Sequence, residues 1–219
     1  MGSDFGVYLV TQASLSAGRS TAEVVAAAVE GSVDVVQLRE KGTTAHHRHG
    51  LGRELRDLTA AADVPLLVND RADLALAVGA DGVHLGDEDL PVPAARELLG
   101  PEATIGRSVS TVPAAEAAVA AGADYLGVGA VFRTDSKDVD PDGSEVGVER
   151  VRAIADAVDA PIVAIGGITP ENAADAVAAG ADGVAVITAI TGADDVAAAT
   201  RALGEAVERG RERRADDRA

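Results

Sequence analysis

"VGADGVHLG" (Val78–Gly86), "AGADYLGVG" (Ala121–Gly129) and "AGADGVAVI" (Ala179–Ile187) are copies of one phrase, and "EGSVDVVQLRE" (Glu30–Glu40) is a looser one. In each, a run rich in Ala and Val ends at a glycine, which can take the left-handed conformation that stops a helix. An aspartate follows, then a short apolar strand. The phrase is a helix-to-strand junction, and its recurrence predicts regular alternation of the two elements. Apolar runs at Val7–Val10, Val33–Leu38, Pro65–Val68, Gly82–Leu85, Thr104–Ile105, Tyr125–Val128, Pro161–Ile165 and Gly183–Ile187 read as strands. Helical segments are expected at Thr21–Glu30, Ala45–Ala62, Pro113–Ala121, Val148–Val158, Pro170–Ala179 and Asp194–Glu208, with shorter or less regular ones after the third and fourth strands. Eight strands alternating with helices predict an α/β fold, a single (β/α)8 barrel with its active site at the C-terminal strand ends. A doubly wound open sheet is the structural alternative. Residues 1–208 form the barrel on this reading, and the charged tail "RGRERRADDRA", 209–219, is expected to fray.

Composition narrows the chemistry. Hydrophobic residues make up 47% of the chain, enough for a large core, but there are only two Phe, two Tyr and no Trp. The core is therefore expected to be small and β-branched, which suits helices packed closely on a buried parallel sheet. A net charge of −17 leaves too little basic surface for a nucleic-acid binder. With no cysteine there is neither a disulfide framework nor a thiolate metal site. No apolar run is long enough for a membrane span and no signal segment opens the chain, so a cytoplasmic protein is expected. The basic charge is almost all arginine, with Lys41 and Lys137 the only lysines. Strong acidity with so little lysine fits a halophilic protein, because high salt screens the self-repulsion. Lysines that survive such a bias are candidates for function.

The strand ends carry the polar residues. After the second strand, Gln37, Arg39 and Lys41 recur with a spacing of two, which puts them on one face of an extended segment. An amide and two cations suit an oxygen-rich anion. "VNDRAD" places Asn69 and Asp70 at the third strand end, and "HLGDEDLP" places Asp87, Glu88 and Asp89 after the fourth. Carboxylates from neighbouring strand ends can share a hard cation, and few carboxylates beside a phosphate describe Mg2+. Asp87 and Glu88 read as solvated, and His84 as a packed imidazole more readily than a ligand. Ser108 follows the fifth strand and reads as a hydrogen-bonding group, since no Ser–His–Asp arrangement accompanies it. "FRTDSK" groups Thr134, Ser136 and Lys137 in a long polar loop, Gly129–Gly147, of the kind that covers an active site. "IGGITPEN", with Gly166 and Gly167 just before a helix start, and "VITAITG" after the eighth strand lie where barrels bind phosphate through backbone N–H groups. Two anion sites at one mouth point to two small phosphorylated substrates or to one that is doubly phosphorylated.

Taken together and in order, "YLVT", "QLREK", "LLVNDRADLALAVGADGVHLG-EDLP", "GADYLGVGAVF-T-SK" and "AIGGITPENA" resemble the thiamine-phosphate synthase (thiamine-phosphate pyrophosphorylase) family, from about Val7 to Ile190. The resemblance implies condensation of a hydroxymethylpyrimidine diphosphate with a thiazole phosphate to give thiamine phosphate and pyrophosphate. It implies pyrimidine-diphosphate contacts from Gln37, Arg39, Lys41, Asn69, Ser108 and Lys137, and Mg2+ ligands Asp70 and Asp89. It implies thiazole-phosphate contacts from Thr134, Ser136, Gly167, Ile187 and Thr188. Arg39, Lys41 and Lys137 would stabilise the leaving group. The chain departs from the family where Ser136 replaces Thr, Thr188 replaces Ser, Ala130 and Arg133 replace Pro, Arg107 replaces a small apolar residue and Ser110 replaces His. A thiazole tautomerase, which shares the barrel but needs no diphosphate set, is one alternative. A non-catalytic sensor of thiamine phosphate is another. A homo-oligomer is left open.

Overall fold

The computed structural model describes residues 5–134 and 146–217. Strands β1 (Val7–Val10), β2 (Val35–Leu38), β3 (Leu66–Asn69), β4 (Gly82–Leu85), β5 (Thr104–Val109), β6 (Tyr125–Val128), β7 (Ile162–Ile165) and β8 (Gly183–Val186) pair in parallel, each with the next. Pairing of β8 with β1 closes the barrel, so the open-sheet alternative falls. Outside run helices α1 (Thr21–Glu30), α2 (Ala45–Ala60), α3 (Ala72–Val78), α4 (Val92–Leu99), α5 (Val112–Ala120), α6 (Gly147–Ala155), α7 (Ala173–Ala178), α8 (Thr188–Thr191) and α9 (Val196–Asp216). No helix among the described residues is long and apolar enough to cross a membrane.

The repeated phrase does more than end a helix. Gly79, Gly122 and Gly180 take positive φ, as expected, but in the looser copy the left-handed residue is Ser32, φ 66°. Gly31 instead lies against α9, where a Cβ would sit 2.7 Å from the Ala197 carbonyl oxygen. The aspartate that follows grips the first or second residue of the strand before its own. Asp124 donates its N–H to the Ile105 carbonyl at 2.8 Å, and its carboxylate accepts the Ile105 N–H at 2.6 Å. Asp34 holds Val7 in the same way, Asp81 holds Leu66 and Asp182 holds Ile162. Alternate seams of the barrel are thus clamped at the end away from the site. Arg96 also pairs with Asp124 at 2.6 Å, and Arg56 with Asp81 at 2.7 Å.

The clamp predicts a graded loss of stability. Asp124→Ala strands the Ile105 N–H and is expected to cost about 2 kcal/mol, the range of a charge-assisted bond to a backbone donor. Asp124→Asn keeps an acceptor and loses mainly the partly exposed ion pair, worth about 1 kcal/mol or less. Urea melts of the two variants check this; equal and small losses would show that the clamp carries no stability.

Alternation divides the core. Val7, Leu9, Val36, Leu38, Leu66 and Val68 face outward against the helices, where Ala and Val allow close packing. Phe5, Tyr8, Val10, Val35, Leu67, Tyr125 and Val163 fill the barrel interior. Three of the chain's four aromatic residues thus sit inside the barrel, so the expectation of a small, β-branched core holds only for the outer layer.

Two boundaries differ most from expectation. β5 runs on to Val109, because Arg107 pairs in register with Leu85 and Ser108 with Gly127. Polar residues on both faces hide that extension from an apolar reading. The tail 209–219 does not fray from its start: α9 continues to Asp216. Gly210 packs where a Cβ would meet Val177, Arg211 donates to the Asp182 carbonyl at 3.0 Å, and Arg213 pairs with Asp175 at 2.9 Å.

Candidate active site

Two cavities adjoin at the C-terminal strand ends and share Ile165 and Ala185 as a common wall. The first is lined by Gln37, Arg39 and Lys41 from β2 and its extension, Asn69 and Asp70 from β3, and Ser108 from β5. The period of two therefore does turn the β2 residues inward together. Thr134, Gly167, Ile187 and Thr188 line the second. Ser136 and Lys137 lie outside the described residues, as does most of the long loop; Arg133 and Thr134 lead into it from the rim of the second cavity.

The β2 end is held rigidly. Arg39 donates its backbone N–H to Thr11 Oγ1 at 3.1 Å and its guanidinium to Gln12 Oε1 at 2.9 Å. Glu40, fully buried, accepts from the Ala13 N–H at 2.9 Å and from Thr21 Oγ1 at 2.8 Å. This carboxylate, which carries no signal in the sequence pattern, ties the β1–α1 connection to β2 and so sets where Arg39 and Lys41 begin.

Asp70 has φ 65°, a left-handed conformation uncommon outside glycine and costly enough to suggest function. Its N–H donates to the His84 carbonyl at 2.8 Å. Asp89 curls back to accept the Gly86 N–H at 2.6 Å and comes within hydrogen-bonding reach of Asp70. Burial first, and then the Asp89 carboxylate, hold the Asp70 carboxyl above the usual carboxylate range; Lys41 and Arg39 oppose this. Lys41 Nζ lies 3.6 Å from Asp70 Oδ2, half exposed at the rim. An exposed pair of that length contributes little to stability, so Lys41 can turn to another anion. Two carboxylates pressed together beside two cations and an open cavity match what a hard cation bridging to phosphate oxygens requires. Asp87 is exposed, as expected, and pairs at the surface with Arg107 at 2.6 Å; neither residue lines the cavities.

In the second cavity Gly166 and Gly167 have φ of 101° and 63°. A Cβ on Gly167 would lie 2.8 Å from Phe132 Cβ, so glycine lets the β6 and β7 loops close on each other. Asn172 donates to the Gly167 carbonyl at 2.9 Å and accepts the Thr169 N–H at 2.8 Å, which fixes the orientation of that peptide. The phrase "TPEN" carries that signal, since Asn next to a helix start commonly binds nearby backbone.

The model of the family described as thiamine monophosphate synthase matches residues 7–190. The chain belongs to the thiamine monophosphate synthase family. Within it, a thiamine-phosphate synthase of Natronomonas pharaonis is 64% identical over 95% of this chain and 97% of its own length. One from Haloarcula marismortui is 66% identical over 95% of this chain and 99% of its own length. A solved structure, thiamine phosphate pyrophosphorylase from Pyrococcus furiosus, superimposes with a TM-score of 0.86 at 40% identity, covering 95% of this chain and 98% of that one. The departures from the family's sequence pattern at Arg107 and Ser110 leave this fold intact.

Proposed function

We propose that this protein is a thiamine-phosphate synthase that joins 4-amino-2-methyl-5-hydroxymethylpyrimidine diphosphate to a thiazole ethyl phosphate, with or without a ring carboxylate, releasing pyrophosphate. The observation that carries the reading is the pair of adjoining cavities with a shared wall, one lined by Arg39, Lys41 and Asp70, with Asp89 against Asp70 behind it, the other by the β7 and β8 loops. Asp70 and Asp89 would hold Mg2+, with water and substrate phosphate completing its shell. Bound there, Mg2+ supplies Lewis-acid stabilisation of charge on phosphate oxygens.

The chain's own groups account for the rest. The C–O bond breaks with its electron pair leaving on the diphosphate, while the electron-rich aminopyrimidine supports the cationic methylene. Arg39, Lys41 and Lys137 stabilise the charge that builds on the leaving group. Gln37, Asn69 and Ser108 hold the pyrimidine diphosphate. Thr134, Ser136, Gly167, Ile187 and Thr188 seat the thiazole phosphate, so that the ring nitrogen meets the carbon across the shared wall. Its lone pair forms the C–N bond, and positioning supplies much of the acceleration. No general base is needed. A thiazole tautomerase would have no use for Gln37, Arg39, Lys41, Asp70 and Asp89.

The test is pyrophosphate release with Mg2+. Release from the two substrates together, and from neither alone, supports the synthase. Tight binding of thiamine phosphate with no release under any salt condition would replace it with the sensor. Small phosphorylated substrates of this kind support a cytoplasmic location.

We read the acidity as halophilic adaptation, supported by high identity to relatives from halophilic archaea. Raising KCl from low to molar concentration is then expected to raise the melting temperature, as the self-repulsion of −17 is screened. A gain of about 2–3 kcal/mol would appear as about 5–10 °C for a chain this size. A flat or falling melt would remove the halophilic reading.

A further inference from the structure

A line of hydrogen-bonded side chains crosses the floor of the first cavity and joins β2 to β5. Gln37 Nε2 donates to Tyr8 Oη at 2.6 Å, and Tyr8 Oη lies 2.9 Å from Tyr125 Oη. Tyr125 Oη lies 2.8 Å from His84 Nδ1, and His84 Nε2 lies 2.9 Å from Ser108 Oγ. Both phenols are fully buried, and burial raises each well above its ordinary pKa, so each keeps its proton to donate.

Donor and acceptor accounting then orders the whole line. Tyr8 receives a proton from Gln37, so its own O–H must go to Tyr125. Tyr125 in turn gives its O–H to His84 Nδ1. That leaves the imidazole proton on Nε2, donating to Ser108 Oγ. Ser108 has its own proton left to offer the cavity, and Gln37 has its Oε1. The opposite orientation of the Gln37 amide would reverse every bond in the line, so the polarity is an all-or-none property.

Resting on the reading of this cavity as the pyrimidine site, we infer that Tyr8, Tyr125 and His84 are positioning residues that fix Ser108 as a hydrogen-bond donor and Gln37 as an acceptor, so that the cavity selects an aminopyrimidine against its oxo counterpart. A 4-aminopyrimidine edge presents an N–H donor beside a ring nitrogen acceptor, which matches the floor. A 4-oxopyrimidine presents a carbonyl acceptor beside a ring N–H: the carbonyl meets a second acceptor at Gln37 Oε1, and the ring N–H leaves the Ser108 proton without its partner, so the match is poorer. The selection also protects the chemistry, since the amino group feeds electron density to the departing methylene and an oxo group does not. Gly127 belongs to the same device: a Cβ there would lie 2.8 Å from His84 Cε1 and displace the ring.

The test compares binding of the 4-amino and 4-oxo pyrimidine diphosphates by calorimetry, in wild type, Tyr125→Phe and Tyr8→Phe, with inorganic pyrophosphate plus Mg2+ as a probe of the diphosphate end. Phe keeps the ring that fills the barrel and removes only the hydroxyl. Wild type is expected to prefer the amino form by about 100-fold or more, the penalty for leaving buried polar groups mismatched. Tyr125→Phe frees the imidazole to exchange tautomers and is expected to lose at least about tenfold of that preference. Tyr8→Phe, one link further from His84, is expected to lose less. Pyrophosphate affinity should stay near wild type even though the stranded buried partners lower the melting temperature; a merely structural loss would weaken pyrophosphate and both pyrimidines alike. Full preference retained by Tyr125→Phe, or a wild type that prefers the oxo form, overturns the inference. If wild type binds neither pyrimidine yet still binds pyrophosphate, the pyrimidine reading of the cavity fails first, and the inference falls with it.

Discussion

Asp70→Asn is expected to lower Mg2+-dependent pyrophosphate release by about 1,000-fold while leaving the ligand-free protein at least as stable as wild type. Both halves follow from one arrangement. Asp70 sits in a left-handed conformation, partly buried, against a second carboxylate from the next strand end. Nothing in folding alone favours that crowding. A carboxyl whose pKa is raised by folding destabilises the native state when charged; the cost is absent in acid, below the ordinary carboxylate value, and grows as pH rises through the folded value. Asn removes the charge, so the melting temperature at neutral pH should stay level or rise, and the difference from wild type should vanish in acid. Turnover should fall because the proposed Mg2+ loses one of two protein carboxylates; Lewis-acid stabilisation is worth several kcal/mol, and each step of about 1.4 kcal/mol is tenfold. Asp89→Asn should lose turnover similarly but gain less stability, since the charge-assisted bond its carboxylate accepts from the Gly86 N–H at 2.6 Å becomes a weaker neutral one. Rates as a function of Mg2+, with melts at neutral and acid pH, check both variants. An Asp70→Asn protein with the wild-type rate and Mg2+ response would remove that carboxylate from the metal site.

Lys41→Met and Lys137→Met should each reduce turnover by about 100-fold or more, the cost of removing one electrostatic donor aimed at developing charge. The loss should fall mainly on kcat, because charge on the leaving group peaks in the transition state. Lys41→Arg is the sharper variant. A guanidinium fork at this position can lie flat on the Asp70 carboxylate, which the single ammonium approaches only to 3.6 Å. The fork would then be held on Asp70 instead of the diphosphate, so activity should fall although charge is conserved. The half-exposed Lys41 side chain makes a change in melting temperature small. Lys137→Arg should likewise lose activity if that lysine meets the diphosphate as a point charge. Wild-type rates for both arginine variants would make the two lysines accidents of composition.

Where one face of a segment is buried, sequence period was enough to place residues. Alternation placed Gln37, Arg39 and Lys41 on a common wall, and the repeated Gly-Ala-Asp phrase marked the junctions that alternate around the barrel. What stayed hidden depends on partners remote in sequence. The aspartates of that phrase stand in the sequence only as the residues between glycine and strand, and the neighbouring strand reveals them as clamps. Tyr8, His84 and Tyr125 lie on three strands, and no spacing rule connects them before the barrel brings their polar atoms together. His84 reads as a packed imidazole, which is true of its ring contact with Tyr125 but misses the bonds at both nitrogens. Glu40 reads as one charge among loop charges, yet it is buried because Thr21 and the Ala13 N–H come to it from the preceding connection.

If two substrates meet across the wall formed by Ile165 and Ala185, their products should be found on either side of it. A crystal structure with thiamine phosphate, pyrophosphate and Mg2+ decides this. Pyrophosphate is expected against Arg39 and Lys41, metal density between Asp70 and Asp89, the pyrimidine over Gln37 and Ser108, and the ester phosphate beside Gly167 and Thr188. Thiamine phosphate bound with its phosphate on Arg39 and Lys41, leaving the cavity at Gly167 without it, would refute the two-cavity mechanism.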